Sequence, residues 1–332
     1  MRAKAKSYSY SLNMLYKEAE TSKQAVHHYI QRENIEEKKL LSLLHEVDTI
    51  RLDHPGCGVE KMYYMLKPDW IGRDKFIDII MELGYRVNKP KNYIRTTYSI
   101  KSHYYPNLIT GMQIMSINTV WQTDITYFQV GDKFCYITFI IDVYSRRIIG
   151  YYASDSLRAE ANIKALNMAL SNRKGMDLSN LIHHSDRGGQ YIDNNYTILL
   201  KKNDISISMC EKPQDNAYTE RVNGTIKNEY LKYKSIKTIT ELRRELKKAV
   251  NHYNNKRIHN SLINKLSPMQ FEEKVLTLCD QKRPKVIIYA EGNVKIKERS
   301  NLLYFRPEEE PQAHNCPIVM FSDLLTKTVN VI

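Results

Sequence analysis

The sequence predicts an α/β core: a mixed five-stranded sheet with flanking helices, preceded by all-α segments and followed by a small β-rich tail. Three observations predict it. Residues 119–153 hold three runs, TVWQTDITYFQV, KFCYITFIIDVYS and RRIIGYYAS, that alternate apolar with polar residues or are rich in β-branched and aromatic ones. From 157 onward helical and strand-like patterns take turns. The first 95 residues carry two blocks of helical patterning. A hairpin-led trio of strands followed by βα units closes into one mixed sheet, because each later strand must return across a helix.

Taken in order, SLNMLYKEAE places Leu12, Leu15, Tyr16 and Ala19 on one helical face, and Thr21-Ser22 offers a cap for a second helix. That helix buries Ala25, Val26, Tyr29 and Ile30 and turns Lys23, Gln24, His27, His28 and Arg32 outward. Two short helices about a tight turn suggest a helix-turn-helix over residues 1–33, with Lys23 and Gln24 as candidate DNA contacts. A second helical module, 34–95, opens with NIEEKKLLSLLHEVDTIRLD, ends that helix at His54-Pro55-Gly56, and continues in two more helices, the last opened by Arg73-Asp74-Lys75. Residues 96–115 read as a basic, Tyr-rich linker able to track a DNA backbone. The core spans 116–275: the strand trio with Gly131-Asp132 at its first turn, the helix LRAEANIKALNMALSN, the strand NLIHHS, the helix QYIDNNYTILLKK, the strand DISISMC, and the helices NAYTERVNGTIKNEYLKY and TITELRRELKKAVNHYN. Alternating runs PKVIIYA, NVKIKE and NLLYFR mark 276–332 as the β-rich appendix.

Composition narrows the function classes. With 332 residues and 42% hydrophobic content the chain can build two or three cores. No apolar run is long enough for a membrane helix, and the basic start MRAKAKSYSY lacks the apolar stretch of a secretory signal. The cysteines at 57, 135, 210, 279 and 316 form no CxxC pair, which fits a reducing cytoplasm and argues against a disulfide framework and a Cys-based zinc site. Net charge is +13, and residues 227–257 alone carry 10 basic against 3 acidic groups. Such a cluster suits a polyanion, since each neutralised phosphate releases a counterion.

Three acids stand apart. Asp124 sits mid-strand in WQTDITYF, where a carboxylate is expensive to bury unless paired or bound to a cation. Asp186, in IHHSDRGGQY, follows the end of a second strand; Asp before Gly is ordinary turn chemistry, but strand ends are also where α/β folds collect ligands. If the first and fourth strands are neighbours, these two carboxylates converge. Glu220 falls in the first turns of the helix begun by Pro213, Asp215 and Asn216, with Lys227 two turns on along the same face. An oxygen-only set suits Mg²⁺ or Mn²⁺, and two such ions can serve phosphoryl transfer while Lys227 holds a phosphate. Arg187 and Arg221 beside the acids, and Arg257 further on, join the candidate DNA contacts. Asp142 is read as pairing with Arg146 or Arg147, Asn216 as the cap of the glutamate helix, Trp121 as core. His183 and His184 face opposite sides of their strand, so at most one sees the acids.

WQTDITY, HSDRGGQY, SMCEKPQDNAYTERVNGTIKNEYL and YNNKRIHNSLINKLSPMQF, in this order, resemble the integrase-core transposases of bacterial insertion sequences, specifically the orfB-type enzymes of the insertion-sequence-three family, relatives of retroviral integrases. HPGCGVEKMYYML and DKFIDIIMELGYRV resemble the helical DNA-binding segment ahead of that core, and TSKQAVHHYIQR a further helix-turn-helix. The resemblance implies an RNase H-like sheet and a metal-binding catalytic triad of Asp124, Asp186 and Glu220. It implies two Mg²⁺ or Mn²⁺ ions, cleavage at element ends, and transfer of the freed 3′ hydroxyl into target DNA. It further implies a homo-oligomer that pairs two terminal inverted repeats, an upstream orfA-type partner, and a cytoplasmic, nucleoid-associated location with no membrane. The chain departs from the family in two places. Between Asp186 and Glu220 lie 33 residues, slightly fewer than usual, the shortening falling in EKPQDN, and the segment after 275 exceeds the usual end. A core weakened by that loop leaves a DNA-binding regulator of transposition as the alternative function. A stand-alone RNase H-like nuclease would need neither helical module.

Overall fold

The computed structural model describes residues 11–87 and 104–288 together with the backbone strand Ile318–Val319. The chain divides into two compact units, one of residues 1–53 and 57–85, the other of 54–56 and 86–332.

The first unit is all helical: α1 (Leu12–Glu18), α2 (Lys23–Asp53), α3 (Val59–Leu66) and α4 (Arg73–Glu82). Ser22 starts α2 as expected, its hydroxyl accepting the Ala25 N–H at 3.0 Å. The expected break near residue 33 is absent. α2 runs unbroken for 31 residues, so the border between the two anticipated helical modules falls inside one helix. Nothing in QRENIEEKK breaks a helix, since Glu, Lys, Gln and Arg are all good helix formers. Only Leu43 and Val47 of α2 are buried. They join Cys57, Val59, Met62, Ile71, Phe76 and Ile80 in a small core, while Tyr29, Ile30, Ile35 and Leu41 stay exposed.

The second unit holds the expected sheet: β2 (Val120–Val130), β3 (Lys133–Asp142), β4 (Ile148–Ser154), β5 (Ile182–Ser185) and β6 (Ser206–Met209), in the order β4-β3-β2-β5-β6. β2, β3 and β4 are antiparallel, and β5 and β6 add in parallel to β2. The β2–β3 hairpin has a two-residue turn between the paired Val130 and Lys133, and Gly131 takes φ +58 there, which suits glycine. α5 (Ala159–Asn172) and α6 (Asn194–Lys202) cover one face, their Leu166 and Tyr196 packing in one core with Trp121, Ile140 and Tyr191. α7 (Ala217–Thr225) and α8 (Ile239–Asn255) cover the other over Ile137, Phe139 and Ile141. Gly150 of β4 lets α5 approach closely: a Cβ there would stand 2.2 Å from the Ala165 carbonyl oxygen. The strand order and mixed pairing make this an RNase H-like core.

Three details differ from expectation. The described part of the supposed linker belongs to the core. Ile109 is fully buried, the Pro106 carbonyl accepts the Met209 N–H of edge strand β6 at 3.3 Å, and the Leu108 N–H donates to Ser208 Oγ at 2.9 Å. Beyond residue 275 the chain continues into the same unit. After α9 (Pro268–Leu276), β7 (Lys285–Ile287) pairs antiparallel with β1 (Gln113–Ile114) and parallel with β8 (Ile318–Val319), and Val286 packs with Phe271 and Val275. The rest of the anticipated tail and residues 88–103 lie outside the described residues. Finally, Asp142 pairs with neither neighbouring arginine. Arg173 lies 3.6 Å from it and also binds Glu272, which holds Arg147 at 2.6 Å. Asp142 additionally accepts backbone N–H bonds from Asn118, Tyr144 and Ser145, so this buried carboxylate is satisfied and structural.

Candidate active site

Asp124 and Asp186 are brought together by register. β2 and β5 pair in parallel with Gln122 opposite His184 and Thr123 opposite Ser185, so the next residue on each chain is an aspartate. Alternation puts Gln122, Asp124, His184 and Asp186 on the face covered by α7. The two carboxylates sense each other. Burial, then the charge of Asp186, push the Asp124 carboxyl up to about 8; Glu220 adds to the rise, while the Ile125 N–H and Lys227 oppose it. Burial also raises Asp186, against the Gly188 N–H that donates to its Oδ1 at 3.1 Å. Burial lowers the Lys227 ammonium, and Asp124 pulls it back. Two carboxyls held above their ordinary range beside a desolvated lysine form a site short of positive charge.

Glu220 lies in the first turn of α7, exposed to solvent. Among the described residues no three His, Cys, Asp or Glu side chains gather closely enough to hold one metal ion. The donor set still fits a hard divalent cation. It is oxygen only, the two strand carboxyls occupy adjacent register positions, and the charge of Asp186 disfavours ionisation of Asp124, a penalty a cation would relieve.

The glutamate helix is not uniform. α7 ends at Thr225 and continues as a π turn, Ile226–Tyr230, that carries Lys227. Glu229 in that turn binds Arg257 in a fork, Nε and Nη2 each 2.8 Å from one carboxylate oxygen, and accepts from His54 Nε2 at 2.6 Å. Arg257, expected on DNA, is therefore buried and engaged by Glu229. Arg187 is exposed and stacks over Tyr104, its guanidinium 4.9 Å from the ring centroid. Arg221 is exposed beside Glu220. Lys23 and Gln24 are exposed at the start of α2, in the first unit.

His184 shares the face of the acids but is fully buried, its Nδ1 2.8 Å from Ser208 Oγ, and burial lowers it to about 4. His183 binds the Tyr196 hydroxyl at 2.9 Å on the opposite face. Trp121 is core, as expected, and donates to Asn118 Oδ1 at 3.3 Å. Asn216 does not cap α7 with its side chain; its Nδ2 donates to the Thr123 carbonyl at 2.9 Å. Asn223, which the sequence reading passed over, donates from Nδ2 to Asp124 Oδ2 at 2.7 Å. Its signal was available: polar residues at 216, 219 and 223 recur at helical spacing where a sheet-facing helix is normally apolar.

A five-stranded sheet in the order β4-β3-β2-β5-β6 with helices on both faces is the frame of an integrase catalytic core, a polynucleotidyl-transferase fold. Residues 116–214 match the family model described as an integrase core domain, and residues 202–268 match a second integrase core model. The 31 kDa protein of insertion element IS600 from Shigella sonnei is 31% identical over 61% of this chain and 76% of its own length. The transposase for insertion sequence element IS629, also from Shigella sonnei, is 35% identical over 62% of this chain and 70% of its own. Transposase InsF for insertion sequence IS3A of Escherichia coli K12 is 36% identical over 48% and 55%. The chain belongs to the integrase-core transposases of insertion sequences, of the insertion-sequence-three type.

Proposed function

We propose that this chain cuts DNA at the ends of an insertion sequence and joins the freed 3′ hydroxyl to target DNA. The observation that carries the reading is the register of β2 and β5, which seats Asp124 and Asp186 side by side with Lys227 facing Asp124. Asp124, Asp186 and Glu220 would hold two Mg²⁺ or Mn²⁺ ions, which when bound supply Lewis-acid activation of the attacking oxygen and charge neutralisation at the leaving one. Glu220, exposed on α7, completes the set when DNA and cations draw it inward. Lys227 holds the scissile phosphate near the acids, and its partial burial strengthens that contact. Arg187, carried on the Tyr104 ring at the rim, and Arg221 grip flanking phosphates. Lys23 and Gln24 contact the terminal inverted repeats. A homo-oligomer pairs two ends at the nucleoid, with an orfA-type protein as partner.

One observation favours a second reading, a DNA-binding regulator with a weakened core: the three carboxylates do not gather into a group able to share one ion. A strand-transfer assay with a labelled element end and Mn²⁺ separates the two. Joined product that disappears in Asp186→Asn supports the transposase, whereas end binding without product in the wild-type protein supports the regulator.

A further inference from the structure

The turn that carries Lys227 is held from outside its own helix. In the π turn Ile226–Tyr230 the Leu231 N–H reaches back to the Ile226 carbonyl, one residue further than in an α-helix. Such turns are rare and recur at functional sites. Left to itself, a helix favours closing the turn back to α. Here three contacts converge on one residue of the turn, Glu229. Arg257 binds both of its carboxylate oxygens, His54 Nε2 lies 2.6 Å from Oε2, and the Gly56 N–H donates to the Glu229 carbonyl at 2.7 Å. Next in the chain, Tyr230 stacks flat on the His54 ring at 4.5 Å and bonds His252 Nδ1 at 3.0 Å. Residue 56 has to be glycine, because a Cβ there would collide with the Glu229 Cα. All of these residues belong to the second unit, and His54 and Arg257 are buried. A buried ion pair is a weak device for stability alone, since apolar side chains of similar volume often serve as well. What distinguishes this one is its place, two residues from Lys227 in the same turn.

We propose that Glu229 is a positioning residue for the transfer reaction: clamped by Arg257, His54 and Gly56, it keeps the π turn open and thereby aims the Lys227 ammonium at the phosphate beside Asp124. This rests on the proposed role of Lys227. Each residue turns an α-helix by about 100°, so closing the π turn would swing the side chains within it by a large part of that angle. Lys227 is half-buried and senses the charge of Asp124, so its ammonium works over a short range that such a swing would spoil. The clamp lies on the far side of the turn from the acids in sequence, and none of its members is a candidate metal ligand.

The test uses the full-length protein and a labelled element end. Log K for end binding is followed against log salt, with strand transfer in Mn²⁺ and melting temperature measured alongside. E229Q keeps the size of the side chain but releases one arm of the fork. It should lower the salt slope by about one, the amount expected for one lost phosphate contact. Strand transfer should fall by up to about 100-fold. The sign is informative, because removing a negative charge would by itself strengthen DNA binding. R257K keeps the charge and breaks the fork; it should reproduce both losses, and it decides the matter if E229Q does not fold. Adding K227A to either variant should lower the slope no further, as for two residues acting through one contact; a further drop would overturn the inference. So would a lower melting temperature with wild-type slope and transfer in both variants, which marks a structural role only. K227A alone is the control for the underlying reading. If K227A keeps slope and transfer, Lys227 does not hold a phosphate and that reading fails. If K227A loses both while E229Q and R257K behave as wild type, Lys227 stands and only the role of Glu229 is lost.

Discussion

Replacing Asp124 by asparagine should make the metal-free protein more stable while abolishing strand transfer. The carboxyl is held at about 8 in the folded protein against 3.8 for an unperturbed aspartate, with burial the larger cause and Asp186 the second. A raised acid contributes fully to stability below its unfolded value, and that contribution is lost as pH rises toward the folded value. The loss therefore runs from about pH 4 to about pH 8 and is complete above that. At about 1.4 kcal/mol per pH unit the ceiling is ~6 kcal/mol. The side chain is partly exposed, and water and local relaxation soften the penalty, so we expect ~2–4 kcal/mol in favour of D124N at pH 8. For a unit of this size that is a rise of roughly 5–15 °C in melting temperature. Urea or thermal unfolding in EDTA at several pH values between 5 and 8 gives the comparison, and saturating Mn²⁺ should narrow the gap by stabilising the wild type alone. The reasoning is refuted if the two proteins lose stability in parallel over that range, or if D124N is the weaker at pH 8.

Arg173→Met should cost about 3–5 kcal/mol, because it leaves Asp142 and Glu272 buried with their shared cation gone; chemical denaturation measures it. Lys227→Ala should lower the salt dependence of element-end binding, the slope of log K against log salt, by about one, as for one lost phosphate contact. An unchanged slope would remove Lys227 from the DNA. Gly131→Ala should destabilise by about 1 kcal/mol through the left-handed turn alone, with catalysis intact.

How much of this was legible depended on how local the signal was. The strands around Asp124 and Asp186 were readable because alternation is a property of neighbouring residues, and a carboxylate in the middle of such a run has few inexpensive explanations. That the two acids are adjacent depended on the first and fourth strands being neighbours, which the sequence left as a condition and the β2–β5 pairing supplies. The unbroken α2 was missed because a change of apolar pattern was read as an end, whereas nothing there breaks a helix. Asp142 was assigned the wrong arginine since its true partner lies across the fold on the turn after α5. Arg257 looked like a DNA contact for the same reason: Glu229, which engages it, is 28 residues away. The π turn leaves no mark in IKNEY. Asn216, Thr219 and Asn223, by contrast, advertised a polar seam through their spacing alone.

Gly150 adds a mechanical point. Where β4 meets α5, main chain abuts main chain, so the gap between those layers is set by peptide groups that cannot change rotamer. Where side chains separate two layers, a swap lets them breathe by a few tenths of an ångström; here even a methyl is a wedge. This contact tolerates no added side chain without a backbone shift, and it lies away in sequence from Asp124, Asp186 and Glu220.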